Sequence, residues 1–123
     1  MESDIAVMAG LHDINVASIS AWHGLDAFDR NKGMIGMTIV VSVKYVLKPG
    51  KRDELLSFVM DNVMNTRKEE GNLAYSHYPS LENEQEMFVF EMWETLKALE
   101  DHINMPHYVE FDNRRKPLLE SYE

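Results

Sequence analysis

The chain has 123 residues, of which 45% are hydrophobic and 27% charged, and its formal net charge is −9. This length and composition are typical of a single globular domain that can bury a core. The negative charge disfavours a nucleic-acid-binding surface, which needs a basic stripe, and no apolar run is long enough to span a membrane.

The chain contains no cysteine. This excludes disulfides, thiol catalysis and zinc–thiolate sites. The first four residues include Glu2 and Asp4, and the N-terminus lacks the basic-then-apolar order of a signal peptide. We therefore expect a cytoplasmic protein.

Residues 1–36 differ from the rest of the chain because they carry no clean strand pattern and end in turn-like residues. We interpret them as an N-terminal extension, followed by a patterned domain over residues 37–123. Within the extension, the pattern of residues 13–28 predicts a helix with Asp13 as its N-cap, and that of residues 5–8 predicts a short strand. The extension is either an arm that packs on the domain or on a second subunit, or a non-native segment.

The domain begins with a strand over residues 38–46, rich in β-branched side chains. Pro49 and Gly50 break the chain, and a helix is predicted over residues 51–70 with Gly71 as its C-cap. One face of this helix is expected to carry the apolar residues Leu55, Leu56, Val59, Met60, Val63 and Met64.

Two further strands are predicted over residues 73–78 and 87–93, joined by a polar hairpin loop. On the second of them, one face carries Val89, Glu91 and Trp93, and the other carries Phe88, Phe90 and Met92. Because both faces are largely apolar, we expect the helices to cover one face and the sheet of a second subunit to cover the other.

Thr95 is expected to cap a further helix, and Pro106 fits the first turn of the helix after it. Residues 118–122 are a candidate for a short last strand. The order strand, helix, strand, strand, helix predicts an α+β fold of the ferredoxin-like, split βαβ kind, with helices on one face of the sheet.

Acid–base residues converge near the end of the last long strand. Glu91 and Trp93 point the same way, and the helix that follows would bring His102 back over them. A buried carboxylate beside an imidazole is suited to proton transfer. The competing interpretation is that Glu91 pairs with a cation while Trp93 fills the core.

Tyr75 and His77 share one face of their strand. If it is the pocket face they bind substrate, and if it is the subunit face they are interface residues. His77, His102 and His107 do not have the spacing of a known metal site, so no metal is predicted. The chain also lacks a G-x-S-x-G elbow and a glycine-rich phosphate loop.

The domain resembles the antibiotic biosynthesis monooxygenase (ABM) family of small dimeric α+β barrels. The resemblance rests on the order and spacing of segments 48–51 (KPGK), 69–72 (EEGN), 91–93 (EMW), 98–102 (ALEDH) and 105–108 (MPHY). It implies a homodimer with a pocket in each subunit. It also implies a monooxygenase that uses no cofactor, with oxygen and a small aromatic or quinol-type compound as its substrates.

The resemblance also implies roles for single residues. Trp93 and His102 match pocket-lining positions, and His107 matches the histidine of a Pro-His pair. His102 would accept a proton or anchor the substrate. Trp93 would form a wall on which the substrate stacks, and Glu91 and His107 would orient the substrate. The haem-degrading branch has an Asn on the first strand where this chain has Val-Ser-Val, which disfavours haem degradation.

Two alternatives remain open at this point. One is an isomerase of a small phosphorylated sugar-like metabolite, as in the branch of the family that processes autoinducer-2. That reaction needs basic residues at the pocket, and Arg114, Arg115 and Lys116 form the nearby cluster. The other is a dimer that binds a ligand without converting it.

Overall fold

The computed structural model describes the backbone of residues 18–22, 28–29 and 34–35, and all of residues 38–120. In chain order the strands and helices are β1 (Ser18–Trp22), β2 (Phe28–Asp29), β3 (Met34–Ile35), β4 (Thr38–Val46), α1 (Arg52–Thr66), β5 (Asn72–Pro79), β6 (Glu86–Trp93), α2 (Leu96–His102) and α3 (Pro106–Arg115). A 3₁₀ turn, Lys116–Leu118, follows α3.

The main sheet is antiparallel, with strand order β1-β4-β6-β5, and β2 pairs with β3 in a separate two-stranded sheet. Helix α1 packs against β5 and α3, and α2 contacts β6. This confirms the predicted ferredoxin-like α+β fold. None of the helices in the described part of the chain has the length and apolar character needed to cross a membrane.

Strand β4 forms the centre of the core, as its alternating pattern predicts. Ile39, Val41, Val43 and Tyr45 are each at most 1% exposed, whereas Val40, Ser42 and Lys44 between them on the outer face are half-buried. Strands in this sheet therefore present one apolar face to the helices, which is the face on which the candidate pocket forms.

Helix α1 is rotated relative to the prediction. Its buried side includes Phe58 and Asn62, whereas Leu56, Met60 and Met64 are 39%, 52% and 51% exposed. The prediction was wrong for these three residues because it followed apolar character alone. The helix instead buries two polar side chains, Asn62 and Thr66, which hydrogen-bond to each other within the core.

Strand β6 has the two faces that were predicted. Met87, Val89, Glu91 and Trp93 are buried beneath the helices. On the other face Phe88 is 39% exposed, and its ring lies 6.4 Å from that of Tyr78, which is 52% exposed. An apolar surface therefore lies on the side of the sheet away from the helices.

The N-terminal extension contributes the edge strand β1. The helix predicted over residues 13–28 is wrong for Ser18–Trp22, which pair with β4 from Ser18 opposite Ser42 to Trp22 opposite Thr38. The rest of that predicted helix, apart from Phe28 in β2, and the predicted strand over residues 5–8 lie outside the described residues.

The predicted last strand is reduced to a single bridge. Leu119 pairs with Leu47, and Glu120 N–H donates to the carbonyl of Val46. The preceding residues form the 3₁₀ turn because Pro117 lacks the N–H that a strand ladder needs. The same edge of β4 is thus shared by the extension at one end and by the C-terminal segment at the other.

Candidate functional site

A small pocket lies between the inner face of the sheet and helices α2 and α3. Its apolar walls include Val43, Val89, Leu99 and Ile103, and Tyr108 lies beside them. The space available to a water molecule is about 10 Å³, which is room for one water. The pocket is therefore narrow, and a larger ligand would have to displace its walls.

Glu91 brings a carboxylate into this narrow space. Its side chain is in the pocket wall, the residue is 5% exposed, and it lies between Val41 of β4 and Tyr75 of β5 in the sheet. Trp93 Nε1 donates a hydrogen bond of 2.9 Å to Glu91 Oε1. Burial raises the pKa of Glu91 above its usual value.

The geometry bears on the two interpretations of Glu91 and Trp93. No lysine or arginine forms an ion pair with Glu91 among residues 38–120; its hydrogen-bond partner is the indole of Trp93. Trp93 itself is fully buried behind Glu91 and is not part of the pocket wall. Its ring lies against that of His102 instead, with centroids 4.9 Å apart and the two planes tilted by 38°.

His102 ends helix α2 and forms part of the pocket wall. Thr95 accepts a hydrogen bond from the Ala98 N–H at the start of this helix, as predicted for a cap. The His102 ring is 2% exposed, and its Nδ1 lies 2.7 Å from Glu69 Oε2. Its Nε2 is buried and has no hydrogen-bond partner within the described part of the chain.

Glu69 is held in position by a tight turn after α1. Gly71 has φ +85°, and a Cβ at this glycine would lie 2.6 Å from Ala98 Cβ, so the turn packs directly against α2. Because a carboxylate only accepts hydrogen bonds, the His102 Nδ1 carries the hydrogen in this pair. In the neutral imidazole, Nε2 then carries a free lone pair at the other end of the ring.

His107 lies on the far side of Glu69. Its Nε2 is 2.7 Å from the same Oε2 atom that receives His102, and the two imidazole rings are 6.2 Å apart. The side chain is 19% exposed and lines an outer cleft between α1 and α3, not the narrow pocket. The structure therefore links His107 to His102 through Glu69 and does not place it against the pocket.

Tyr75 and His77 are on the pocket face of β5, which was one of the two predicted arrangements. His77 Nδ1 is 3.0 Å from the hydroxyl of Tyr45, and its Nε2 is 3.1 Å from the hydroxyl of Tyr75. Asn62 donates to the Tyr75 hydroxyl as well. Burial, and then the Arg115 charge, lower the pKa of His77 well below its usual value, so this imidazole is neutral.

The basic residues Arg114, Arg115 and Lys116 at the end of α3 lie in three different environments. Arg115 is buried in the pocket wall, where its guanidinium lies 4.9 Å from the Tyr45 ring and 2.5 Å from Asp112 Oδ1. Arg114 packs over Phe58, and the exposed Lys116 pairs with Asp112. Only one cation of the cluster reaches the pocket, and a carboxylate already neutralises it.

Sequence reasoning missed several residues that shape the site. Glu69, Asn62 and Tyr45 contact the predicted site residues, but none of the three was proposed as part of the site. A signal was present for Glu69, since it begins the EEGN segment that carries part of the family resemblance. For Asn62 the signal was a polar residue at helical spacing on the buried side of α1.

Comparisons with known proteins bear on the family. The profile described as "Antibiotic biosynthesis monooxygenase" matches residues 38–114. A Bacillus subtilis protein, YcnE, whose name marks it provisionally as a monooxygenase, is 32% identical over 81 residues; the match covers 66% of this chain and 85% of that protein. An uncharacterized Synechocystis protein is 30% identical over 81 residues, and the match covers 66% of this chain and 55% of that relative.

The chain thus spans about half the length of the Synechocystis relative. A solved structure from Nitrosomonas europaea superposes with a TM-score of 0.67 at 18% identity, covering 72% of this chain and 86% of its own, and this likeness concerns the fold alone. With most of the domain matched by the family profile, the chain belongs to the antibiotic biosynthesis monooxygenase family.

Proposed function

We propose that this protein is a monooxygenase that acts on a small aromatic or quinol-type substrate with molecular oxygen, and that no cofactor takes part in the reaction. One observation carries the proposal: His102 lines a small, mostly buried pocket, and its Nε2 is buried without a hydrogen-bond partner in the described part of the chain. A base in such a place can deprotonate an electron-rich substrate while water is kept away.

The proposed base is oriented by its neighbours. Glu69 accepts from His102 Nδ1, which selects the tautomer in which Nε2 is bare, as the buried carboxylate does in a catalytic triad. Trp93 packs on the ring and holds it against the sheet. Trp93 is therefore a positioning residue in this proposal, since the pocket wall does not include it.

Glu91, Tyr75 and His77 form the polar part of the wall that a substrate would meet. The raised pKa of Glu91 favours its protonated form, which can donate a hydrogen bond to a substrate oxygen. His107 would act indirectly, since it shares the Glu69 carboxylate with His102. Substrate binding requires movement of the wall, and the short helix α2 carries both Leu99 and His102.

The electrons for the reaction come from the substrate. Deprotonation of an activated CH₂ or phenolic tautomer gives a carbanion that can pass an electron to oxygen and then form a C–O bond. One oxygen atom ends as a carbonyl, and the other leaves as water with the two hydrogens of the carbon. The protein supplies the base and the dry cavity, and no external reductant is consumed.

The isomerase alternative is less well supported by the charges at the pocket. A phosphorylated substrate needs several free donors or cations, whereas Arg115 is paired with Asp112 and faces Tyr45. We therefore favour an uncharged aromatic substrate.

We also propose that the protein is a homodimer that associates through the outer face of the sheet, where Phe88 and Tyr78 are exposed. Light scattering should give a dimer for the native chain and a monomer for Phe88→Glu. Leu81→Glu, in the fully exposed hairpin loop, is the matched control and should remain dimeric. A native monomer, or a Phe88→Glu dimer, would refute this interface.

Oxygen uptake with a panel of quinols and polyphenols tests the proposed reaction. Protein freed of metals with a chelator should consume one O₂ per product, and ¹⁸O₂ should label one product oxygen. Folding is checked on the same sample by circular dichroism. A folded sample that consumes no oxygen with any compound of the panel would contradict the monooxygenase proposal.

A further inference from the structure

Three metal-ligating side chains converge beside the pocket. Glu69, His102 and His107 each offer one ligand atom, and these atoms all lie within 4.8 Å of one another. The residues come from the turn after α1, the end of α2 and the first turn of α3. The fold therefore brings two imidazole nitrogens to a carboxylate that lies 33 and 38 residues before them in the chain.

The charge within this cluster is poorly balanced by the protein. The Glu69 side chain is 4% exposed, and its ion-pairing partners among residues 38–120 are the two histidines, not lysine or arginine. Its Oε1 is buried without a hydrogen-bond partner in the same part of the chain. Burying a carboxylate is unfavourable unless a cation or several donors compensate for it.

We propose that Glu69, His102 and His107 bind one divalent transition-metal ion, with Glu69 Oε1 available as an additional ligand. Two imidazoles and one carboxylate are ligands that zinc, cobalt and nickel accept, whereas Mg²⁺ and Ca²⁺ prefer oxygen alone. This site goes beyond the proposed reaction, in which no metal takes part, and its existence does not depend on that reaction.

The metal would require the ligand atoms to rearrange. Each nitrogen lies 2.7 Å from Glu69 Oε2, and all three ligand atoms lie within 4.8 Å of one another. Two ligands held at about 2.0–2.2 Å by one zinc ion in a tetrahedral site are roughly 3.3–3.6 Å apart. The distances between the ligand atoms would therefore have to change by about 1 Å, with loss of the hydrogen on each ligating nitrogen, to admit the ion.

An entry route is present on the surface. His107 lines an outer cleft of about 60 Å³, in which Asp61 and Glu110 contribute carboxylates and Arg114 one guanidinium. Acidic groups at the mouth of a cleft attract cations. An ion could thus reach His107 first and the buried pair behind it afterwards.

Binding would change the chemistry of His102. A metal on Nδ1 leaves the ring hydrogen on Nε2, so the nitrogen in the pocket wall changes from an acceptor into a donor. Occupancy of the site and base catalysis by Nε2 are then mutually exclusive. This consequence, a metal that inhibits the enzyme, rests on the proposed function, whereas the binding itself does not.

The test is zinc binding to the full chain, without an affinity tag, after chelator treatment and dialysis. Calorimetry with ZnCl₂ should give one site per chain, and an excess of Mg²⁺ should not compete. ¹⁵N spectra of the histidine side chains should show Zn²⁺ at His102 Nδ1 and His107 Nε2. This second measurement uses the native sequence and needs no variant that folds.

Variants distinguish the site from adventitious binding by histidine. His107→Gln and Glu69→Gln should each weaken zinc binding at least about tenfold, since even indirect partners of a metal contribute 10–100-fold. The double variant His12→Gln/His23→Gln, which removes two histidines elsewhere in the sequence, should bind as the native chain does. Absence of a stoichiometric site, or binding that leaves the His102 and His107 signals unchanged, overturns the proposal.

Discussion

His77 and His102 lie in the wall of the same pocket, but their rings are held in different ways. Both nitrogens of His77 are hydrogen-bonded, one to Tyr45 and one to Tyr75. His102 has one nitrogen bonded to Glu69 and the other without a partner in the described region. The fold thus uses both ring nitrogens of His77, whereas His102 keeps one ring nitrogen that can interact with a substrate.

The largest effect is expected on turnover. If His102 is the base, His102→Gln should lower kcat by about 10²–10⁴-fold, the usual contribution of a positioned proton acceptor. His77→Gln should lower it much less, because neither ring nitrogen of His77 is free to accept a substrate proton. Steady-state oxygen uptake by the two variants checks this, and equal losses would remove the distinction between the two histidines.

The hydrogen-bonded pair Tyr75 and His77 should contribute more to the stability of the fold than to turnover. Tyr75→Phe removes the hydroxyl shared by His77 and Asn62, and leaving buried partners unpaired costs about 1–3 kcal/mol of unfolding free energy. Leu81→Ala, in the fully exposed hairpin loop, should change it by no more than about 0.5 kcal/mol. Urea unfolding of the two variants measures the difference, and similar values would show that the Tyr75 network contributes little.

The turn that carries Glu69 can be disturbed without touching either histidine. Gly71→Ala adds a methyl group 2.6 Å from Ala98 Cβ at a positive φ, whereas Gly50→Ala has a similar φ and open space around it. Gly50→Ala should lower the free energy of unfolding by about 1–2 kcal/mol, from backbone strain alone. Gly71→Ala should lower the free energy of unfolding by more than this. It should also perturb the NMR signals of His102 but not those of His77. Equal costs would mean that the contact with α2 is relaxed easily.

The smallest effect concerns acid stability. The pKa of His77 is lowered in the folded state, so below the unfolded-state value the unfolded chain binds a proton that the folded chain does not. The contribution of His77 is present above about pH 6.5 and is lost as the pH falls through the folded-state pKa. The unfolding free energy of His77→Gln should therefore fall less steeply between pH 6.5 and pH 5 than that of the native chain. Parallel slopes would show that His77 is not held neutral.

Much of the fold could be predicted because local pattern determines it. The alternation in residues 38–46 and 87–93, the Thr95 cap and the Pro106 start are each visible within a few residues. The errors arose where tertiary contacts decide. The rotation of α1 depends on Asn62 finding Tyr75, and β1 depends on pairing with β4.

The candidate site was predicted only in part for the same reason. Strand periodicity placed Glu91 and Trp93 together, and the following helix returned His102 to them. The partner of His102, however, is Glu69, which lies 33 residues earlier in the chain. Spacing within one segment carries no information about such a pair, so neither the orientation of the base nor the convergence with His107 could be read from the sequence.

The central claim is that His102 presents a bare Nε2 to the pocket because Glu69 holds the hydrogen on Nδ1. Long-range ¹H–¹⁵N NMR of the histidine side chains, on metal-free protein at pH 8, tests it most directly and needs no substrate. The account predicts that His102 is in the Nδ1–H form, with an unprotonated Nε2. A His102 signal in the Nε2–H form would contradict it, because the nitrogen in the pocket wall could not then accept a proton.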